Sequence, residues 1–357
     1  MTISIGIVGA GIIGRLLALK ACARGWRVTL FERGAEDGAT ACSSVSPAML
    51  APYCELDVAE KTVSDLGALS LRLWPEILCE FDLPVYFQQA GSLVVAPPQN
   101  SDELEHFART VKSRASEDVF QNIKSDELKV FEPDLDSRFQ SGLFFPSEGQ
   151  IDSRGALAAL LMAARERGAD CRFGQEVRAI RPNEIDCGNA TSKFDMVFDC
   201  RGYGAAKDIK NLRAVRGEII RLHAPDVHLN RPVRLLHPRW PLYVVPRPDN
   251  HYIIGATTIE SEDASPIALR SMLEMLSAAF TISAGFSEAR ILETLTGLRP
   301  AFPDNEPRIM HQPGLIRVNG VYRHGFLLAP VLTDYACQLA EKSQPSAPMP
   351  YLVREAA

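Results

Sequence analysis

The sequence lacks the features that mark membrane, metal-binding and nucleic-acid-binding proteins. No stretch of its 357 residues stays apolar for the ~20 residues that a transmembrane helix needs. The eight cysteines and seven histidines are scattered without C-x-x-C or other metal-ligand spacing, so neither a zinc site nor a redox dithiol is expected. The net charge is −6, which does not favour nucleic acid or an anionic membrane as a partner.

The chain also lacks room for a secretory signal. It enters an apolar run almost at its first residue, leaving no charged region and no cleavage site ahead of it. Scattered, unpaired cysteines suit a reducing compartment. We therefore expect a cytoplasmic protein, with a composition typical of globular chains and a length that suits about two domains.

One segment near the N-terminus contains three glycines at fixed spacing between a strand and a helix. Residues 5–33 read IGIVGAGIIGRLLALKACARGWRVTLFER, in which a buried strand leads into Gly9, Gly11 and Gly14, then a helix, then a second strand ending at Glu32. The first glycine permits the tight turn, the second lets a pyrophosphate approach the backbone, and the third lets the helix pack closely. Helix N–H groups attract the phosphates, and Glu32 can accept hydrogen bonds from both ribose hydroxyls. The motif predicts an NAD or FAD site and argues against NADP.

The remaining pattern predicts an α/β protein whose nucleotide domain is interrupted by a β-rich substrate domain. Helical or strand-like stretches occur in this order: a helix within 55–82, a strand or hairpin within 86–95, a helix at 101–117, a helix and strand from 151, a buried strand at 195–202, an antiparallel sheet between 218 and 258, a helix at about 266–279, and a closing helix after a glycine turn. The last fifteen residues, which contain three prolines, read as a surface tail.

Several segments together resemble one known family. They are GAGIIG at 9–14, FER at 31–33, SPAMLAP at 46–52, EVRAI at 176–180, VRGEII at 215–220, LYVVPRPD at 242–249, IIGAT at 253–257, GLRPAFPDNEP at 297–307 and YRHGFLLAP at 322–330. In these segments the chain resembles the glycine oxidase branch of the D-amino-acid-oxidase-like flavoproteins, which serves bacterial thiamine biosynthesis. The resemblance covers nearly the whole sequence and implies FAD rather than NAD.

The resemblance also implies a division into domains. A Rossmann-like FAD-binding domain of the D-amino acid oxidase type would comprise residues 1–85, 143–205 and 297–357. A substrate domain built on a mostly antiparallel β-sheet with helices would comprise residues 86–142 and 206–296.

Members of this family bind FAD through a set of positions that can be matched one by one. The matching residues here are Gly9, Gly11, Ile12, Ile13, Gly14, Glu32, Arg33, Cys42, Ser43, Pro47, Ala48, Met49, Val177, Val321, Tyr322, Arg323, His324, Gly325, Phe326 and Leu327. Val177 would meet the adenine through its main chain, and the turn at 321–327 would face the pyrimidine end of the flavin. Relatives with covalent flavin carry a cysteine in the final glycine turn, and HGFLLAP has none. The resemblance therefore implies non-covalent FAD.

The same resemblance implies which residues contact the substrate and which reaction they support. Arg299 would bind the carboxylate of a small amino acid, Tyr243 would donate its phenol to that carboxylate, and Arg323 would line the pocket. The implied reaction is oxidation of glycine by hydride transfer to the flavin, with dioxygen as acceptor. The products would be an imine or glyoxylate, ammonia and hydrogen peroxide, and the imine would feed thiazole synthesis. Such a reaction relies on orientation and electrostatics rather than on a protein acid or base.

Three other functions stay open at this point. One is a D-amino acid or sarcosine oxidase or dehydrogenase of the same fold, because Ala48 stands where many relatives have glycine and could alter the substrate range. Another is a tRNA aminomethyl-uridine oxidase, although such relatives carry a fused methyltransferase domain and a basic surface, which this sequence lacks. A flavin-binding scaffold without turnover is the third, and Arg299 and Tyr243 argue against it. The sequence leaves homo-oligomerisation open.

Overall fold

A computed structural model describes residues 2–115, 118–239, 241–341 and 353–355. Most of the predicted tail over the last fifteen residues lies outside these ranges. None of the helices within them is long and apolar enough to cross a membrane.

The strands are numbered in chain order. They are β1 (Ser4–Val8), β2 (Arg27–Phe31), β3 (Met49–Leu50), β4 (Phe87–Gln88), β5 (Ser92–Val95), β6 (Gln121–Lys124), β7 (Ser141–Phe145), β8 (Gly149–Ile151), β9 (Asp170–Arg172), β10 (Ala179–Arg181), β11 (Glu184–Asp186), β12 (Thr191–Lys193), β13 (Met196–Asp199), β14 (Arg213–His223), β15 (Val233–Leu235), β16 (Leu242–Arg247), β17 (His251–Gly255), β18 (Ile259–Glu260), β19 (Arg290–Ala301), β20 (Arg308–Gln312), β21 (Leu315–Asn319) and β22 (Val353–Glu355).

The α-helices follow the same numbering. They are α1 (Ile12–Ala23), α2 (Cys42–Val45), α3 (Lys61–Glu80), α4 (Ser101–Arg114), α5 (Ser125–Phe131), α6 (Ser153–Glu166), α7 (Leu269–Ile282) and α8 (Gly325–Ala340). The helices predicted within 55–82, at 101–117 and at 266–279 correspond to α3, α4 and α7, with bounds that differ by a few residues.

A seven-stranded sheet forms the nucleotide-binding half. Its order is β22-β20-β21-β13-β1-β2-β9, and β9, β2, β1, β13 and β21 run parallel to one another. The strands β1 and β2 are almost wholly buried, which is why they read as continuous apolar runs. Helix α1 packs between α6 and α8. This sheet brings the carboxyl ends of several parallel strands to one edge, where ligands bind in folds of this kind.

A nine-stranded sheet forms the other half. Its order is β18-β14-β17-β16-β15-β5-β7-β6, with β19 paired to β14. All its pairings are antiparallel except that of β5 with β15. The antiparallel sheet predicted between 218 and 258 is therefore confirmed as β14 to β17. Two smaller sheets, β10-β11-β12 and β3-β8-β4, complete the strands described.

Two segments differ from what their sequence pattern suggested. The strand predicted within 86–95 is confirmed as β5, preceded by the short β4, but the alternative of a hairpin is wrong. The strands β4 and β5 belong to different sheets, because Gly91 has φ +81° and turns the chain between them. The strands β7 and β19 each continue across a proposed domain boundary, at 142/143 and 296/297. The domain division stays a prediction.

Candidate active site

A cavity of about 1080 Å³ lies at the junction of the two large sheets. Its floor is made by the residues that follow β1, β2 and β13 and by the end of β21, four strands of the parallel sheet. Most of the residues predicted to contact FAD line this cavity: Gly9, Gly11, Ile12, Ile13, Glu32, Arg33, Cys42, Ser43, Pro47, Val177, Val321, Tyr322, Arg323, Gly325 and Phe326. Arg299 lines it as well.

The glycine motif shapes the nucleotide end as its spacing predicted. Gly9 has φ +99°, a conformation that side chains other than glycine's rarely adopt. A Cβ on Gly14 would lie 1.8 Å from the carbonyl oxygen of Gly9, so only glycine lets α1 approach the strand this closely. The N-cap residue Gly11 has no side chain to satisfy the helix N–H groups, and the start of α1 lines the cavity. These groups suit the phosphates of a dinucleotide.

Glu32 directly follows β2, beside this helix start. Its Oε2 accepts a hydrogen bond of 2.7 Å from the N–H of Ala10, and its Oε1 accepts one of 2.9 Å from the N–H of Gly34. These two bonds hold the carboxylate at the cavity wall, where each oxygen retains a further lone pair for a ligand hydroxyl. The cavity, the helix start and the carboxylate together fit the pyrophosphate and ribose of FAD.

The remaining predicted residues are not among those that line the cavity: Gly14, Ala48, Met49, Tyr243, His324 and Leu327. The sequence interpretation also missed part of the lining. The segment that follows β13 supplies it through Gly202, Tyr203 and Gly204. The residues DCRG at 199–202 carried the signal, because a glycine after a buried strand marks a turn at the sheet edge.

Arg299 is a buried cation on the wall of the cavity. It lies on β19 opposite β14, and its Nη1 donates a hydrogen bond of 2.9 Å to the carbonyl oxygen of Thr257. Burial, reinforced by the nearby charge of Arg323, lowers the pKa of Arg299. In the described ranges no carboxylate lies within ion-pair distance of this guanidinium. Arg299 is thus a buried cation that an anionic ligand would stabilise.

Gly217 on β14 makes space for this side chain. A Cβ at position 217 would lie 2.2 Å from Nη2 and 2.3 Å from Cζ of Arg299. Gly217 also lines the cavity. The glycine of VRGEII therefore admits the guanidinium to the site, a role that the sequence alone did not reveal.

Arg323 and Tyr243, in contrast, are already paired. Both bind the carboxylate of Glu55: the Tyr243 hydroxyl and the Arg323 Nη2 each donate a hydrogen bond to Oε1. Nη2 also donates to the phenol oxygen at 3.2 Å, and the Nδ1 of His324 lies 3.5 Å from Oε2. Glu55 precedes α3 in a loop that the sequence interpretation did not single out. No spacing in CELDVAEK distinguishes it from a surface acid.

The ionisation of this group follows from its contacts. Burial alone would raise the pKa of Glu55, but the neighbouring charges, that of Arg323 first, outweigh burial and lower it to about 2. Burial lowers the pKa of His324 to about 4 and raises that of Tyr243 above its usual value. At neutral pH the Glu55 carboxylate is therefore charged, and His324 and Tyr243 are neutral.

The loop that carries Glu55 is fixed on both sides. The Oε1 of Glu148 accepts hydrogen bonds from the N–H groups of Tyr53 and Cys54, at 2.7 and 2.8 Å. Two residues beyond Glu55, Asp57 forms a two-point ion pair with Arg234, at 2.8 and 2.9 Å. The position of Glu55 is accordingly set by the scaffold before any ligand binds.

Comparison with known proteins agrees with this architecture. Residues 4–339 match the FAD dependent oxidoreductase family. The chain is 40% identical to a protein named as a thiamine biosynthesis oxidoreductase, ThiO, of Rhizobium etli, over 94% of this chain and 97% of the relative. It is 25% identical to a glycine oxidase of Geobacillus kaustophilus, over 95% of this chain and 93% of the relative.

Solved structures share the fold. The crystal structure of glycine oxidase from Geobacillus kaustophilus superposes with a TM-score of 0.86 at 24% identity, covering 100% of both chains. That of iminodiacetate oxidase from Chelativorans sp. BNC1 gives 0.84 at 22% identity, covering 99% of this chain and 100% of that one. The family match confirms FAD as the cofactor and confirms the predicted fold class. This chain therefore belongs to the FAD dependent oxidoreductase family.

Proposed function

We propose that the protein oxidises glycine to its imine, which yields glyoxylate and ammonia or is consumed in thiazole synthesis. The observation that carries the proposal is Arg299, a buried cation at the cavity with no carboxylate partner among the described residues. Its guanidinium offers the planar, two-point contact that a substrate carboxylate prefers. The similarity to thiamine biosynthesis oxidoreductases and glycine oxidases supports the same class of substrate.

The chain's own residues would bind and orient both ligands. The start of α1, Glu32 and the segment 321–327 would hold FAD without a covalent bond. When bound, FAD supplies hydride acceptance from a carbon next to an amine and passes the electrons to dioxygen. Arg299 would fix the substrate carboxylate, and the buried site would exclude water. Orientation of this kind lowers the barrier without any acid or base.

The pairing of Tyr243 with Glu55 modifies the predicted carboxylate clamp. Tyr243 is not among the residues that line the cavity, and it donates its hydroxyl proton to Glu55. We propose that Arg299 binds the carboxylate and that Tyr243 acts through Glu55 and Arg323 on the adjoining wall. A hydrogen bond from Tyr243 to a substrate requires the phenol to leave Glu55.

A peroxide assay on the FAD-loaded protein tests the function. We expect glycine to be oxidised with a kcat/KM at least about 30-fold above that of methylamine, because a paired buried cation is worth about 2 kcal/mol or more. Methylamine is the matched control, since it has an amine but no carboxylate. Equal oxidation of the two amines would contradict the role of a carboxylate clamp.

The same assay separates the alternatives. Higher rates with D-alanine or sarcosine than with glycine would assign the related amino acid oxidase activity. Peroxide from an RNA containing aminomethyl uridine, without oxidation of any amino acid, would assign the tRNA-modifying activity. Precipitation with acid checks the cofactor linkage, because non-covalent FAD is then released intact.

A further inference from the structure

Arg299 and Arg323 both line the cavity, but only Arg299 carries a charge that no carboxylate of the described residues balances. Arg299 has no carboxylate partner within the described ranges, whereas the Nη2 of Arg323 forms an ion pair with Glu55. Glu55 itself is only 9% exposed and does not line the cavity. The cavity therefore meets Arg323 as one half of a neutral pair.

We propose that Glu55 is a specificity-determining residue that restricts the site to amines bearing a single carboxylate. It acts through Arg323, whose charge it neutralises, and it leaves Arg299 as the one site for a substrate carboxylate. This inference rests on the proposed function for the role of Arg299.

Several contacts hold Glu55 in place beside Arg323, so its carboxylate neutralises the charge of that arginine. Glu55 accepts hydrogen bonds from Arg323 and Tyr243, and the Tyr243 phenol also receives a bond from Arg323 at 3.2 Å. Its loop is anchored by Glu148 and by the pair of Asp57 with Arg234. A second substrate carboxylate at Arg323 would lie close to the negative charge of Glu55, and taking Nη2 from Glu55 would leave a buried carboxylate without its charged partner.

Removing the charge of Glu55 should shift the binding preference toward amines that carry two carboxylates. In Glu55→Gln the side chain keeps its size and its oxygen can still accept hydrogen bonds, but the charge of Arg323 is no longer balanced. Arg323 then offers a second cation on the wall of the cavity that Arg299 also lines. A dicarboxylate amine such as iminodiacetate could place one carboxylate on each arginine.

The test uses two ligands that cannot be oxidised. Methoxyacetate and oxydiacetate are the oxygen analogues of sarcosine and iminodiacetate, and they differ by one carboxylate. Their dissociation constants are measured on FAD-loaded protein from the change in the flavin spectrum. We expect the wild type to bind methoxyacetate at least as tightly as oxydiacetate. In Glu55→Gln the ratio should shift toward oxydiacetate by about 10- to 100-fold, the range of one charge-assisted hydrogen bond.

Two further variants separate specificity from structural damage. Glu132→Gln removes a buried carboxylate that pairs with Arg231, and neither residue lines the cavity, so its ratio should equal that of the wild type. Glu55→Gln combined with Arg323→Gln removes the second cation as well, and its ratio should return toward the wild-type value. Damage to the fold would weaken both ligands and leave their ratio unchanged.

The kinetic counterpart is the ratio of kcat/KM for iminodiacetate to that for glycine, which should rise in Glu55→Gln. An unchanged ratio in FAD-loaded Glu55→Gln would overturn the proposal. If that variant cannot be obtained with FAD, the wild type decides: tighter binding of oxydiacetate than of methoxyacetate overturns the proposal, and the reverse order supports it. Because neither analogue is oxidised, failure of glycine turnover would reject the proposed function without affecting this test.

Discussion

Replacement of Arg299 by alanine is the perturbation whose size the structure defines best. The guanidinium is buried, donates one hydrogen bond to Thr257, and has no carboxylate partner in the described part of the chain. A substrate carboxylate that enters this site loses its hydration and depends on Arg299 for compensation. Leaving one member of such a buried pair without the other costs about 2 to 5 kcal/mol.

This free-energy cost predicts the loss in kcat/KM. Since ~1.4 kcal/mol corresponds to a factor of ten, Arg299→Ala should lower kcat/KM for glycine by roughly 30-fold to several-thousand-fold. Arg299→Lys should recover only part of the loss, because an ammonium cannot make the planar two-point contact. Both variants should retain FAD, and methylamine should be oxidised equally poorly by wild type and variant.

Steady-state kinetics on FAD-loaded protein measure this loss. Arg213→Ala is a matched control, because Arg213 pairs with Glu260 and Asn305 and does not line the cavity. Its glycine kinetics should equal those of the wild type. Near-normal glycine turnover in Arg299→Ala would refute the reasoning and make Arg323 the next candidate for the carboxylate site.

Three further substitutions test other parts of the account. Glu32→Ala should weaken FAD binding by about 10- to 100-fold, measured by flavin titration of the apoprotein, because the ribose loses a charged acceptor; unchanged affinity would contradict that contact. Gly217→Ala should lower kcat/KM for glycine by about 100-fold with FAD retained, because a Cβ would displace the Arg299 guanidinium; normal kinetics would show that the strand adjusts. Burial raises the pKa of Glu148 to about 7 from 4.5. Between these pH values the carboxyl group ionises in the unfolded chain but not in the folded protein, so the wild type loses stability as the pH rises. The stability of Glu148→Gln relative to wild type, measured by denaturant unfolding, should therefore increase from about pH 5 to pH 8, and a decrease would contradict the direction of that shift.

The nucleotide half of the site could be predicted because its chemistry is local in sequence. Gly9, Gly11, Gly14 and Glu32 lie within one strand–helix–strand unit, and each glycine has a steric task that spacing alone reveals. The antiparallel strands β14 to β17 were likewise predictable, since alternation and turn residues are local signals. The late segments 297–307 and 322–330 pointed to Arg299 and Arg323 only through resemblance to a family.

The substrate half could not be predicted because it depends on contacts distant in sequence. Glu55 meets Tyr243 and Arg323, which are 188 and 268 residues away along the chain. Gly217 is needed only because Arg299 crosses it from a neighbouring strand. Neither fact has a counterpart in local spacing, so resemblance to the family assigns Tyr243 to the substrate and does not reveal its pairing with Glu55.

Reduction of the bound flavin by glycine in the absence of oxygen tests the central proposal most directly. The FAD-loaded protein is mixed anaerobically with glycine, and the long-wavelength absorption of oxidised flavin is followed. We predict that this absorption disappears, and that admission of air restores it with the formation of hydrogen peroxide and glyoxylate. Persistence of the oxidised spectrum with glycine, and with sarcosine and D-alanine as well, would contradict the proposal that this cavity oxidises small amino acids.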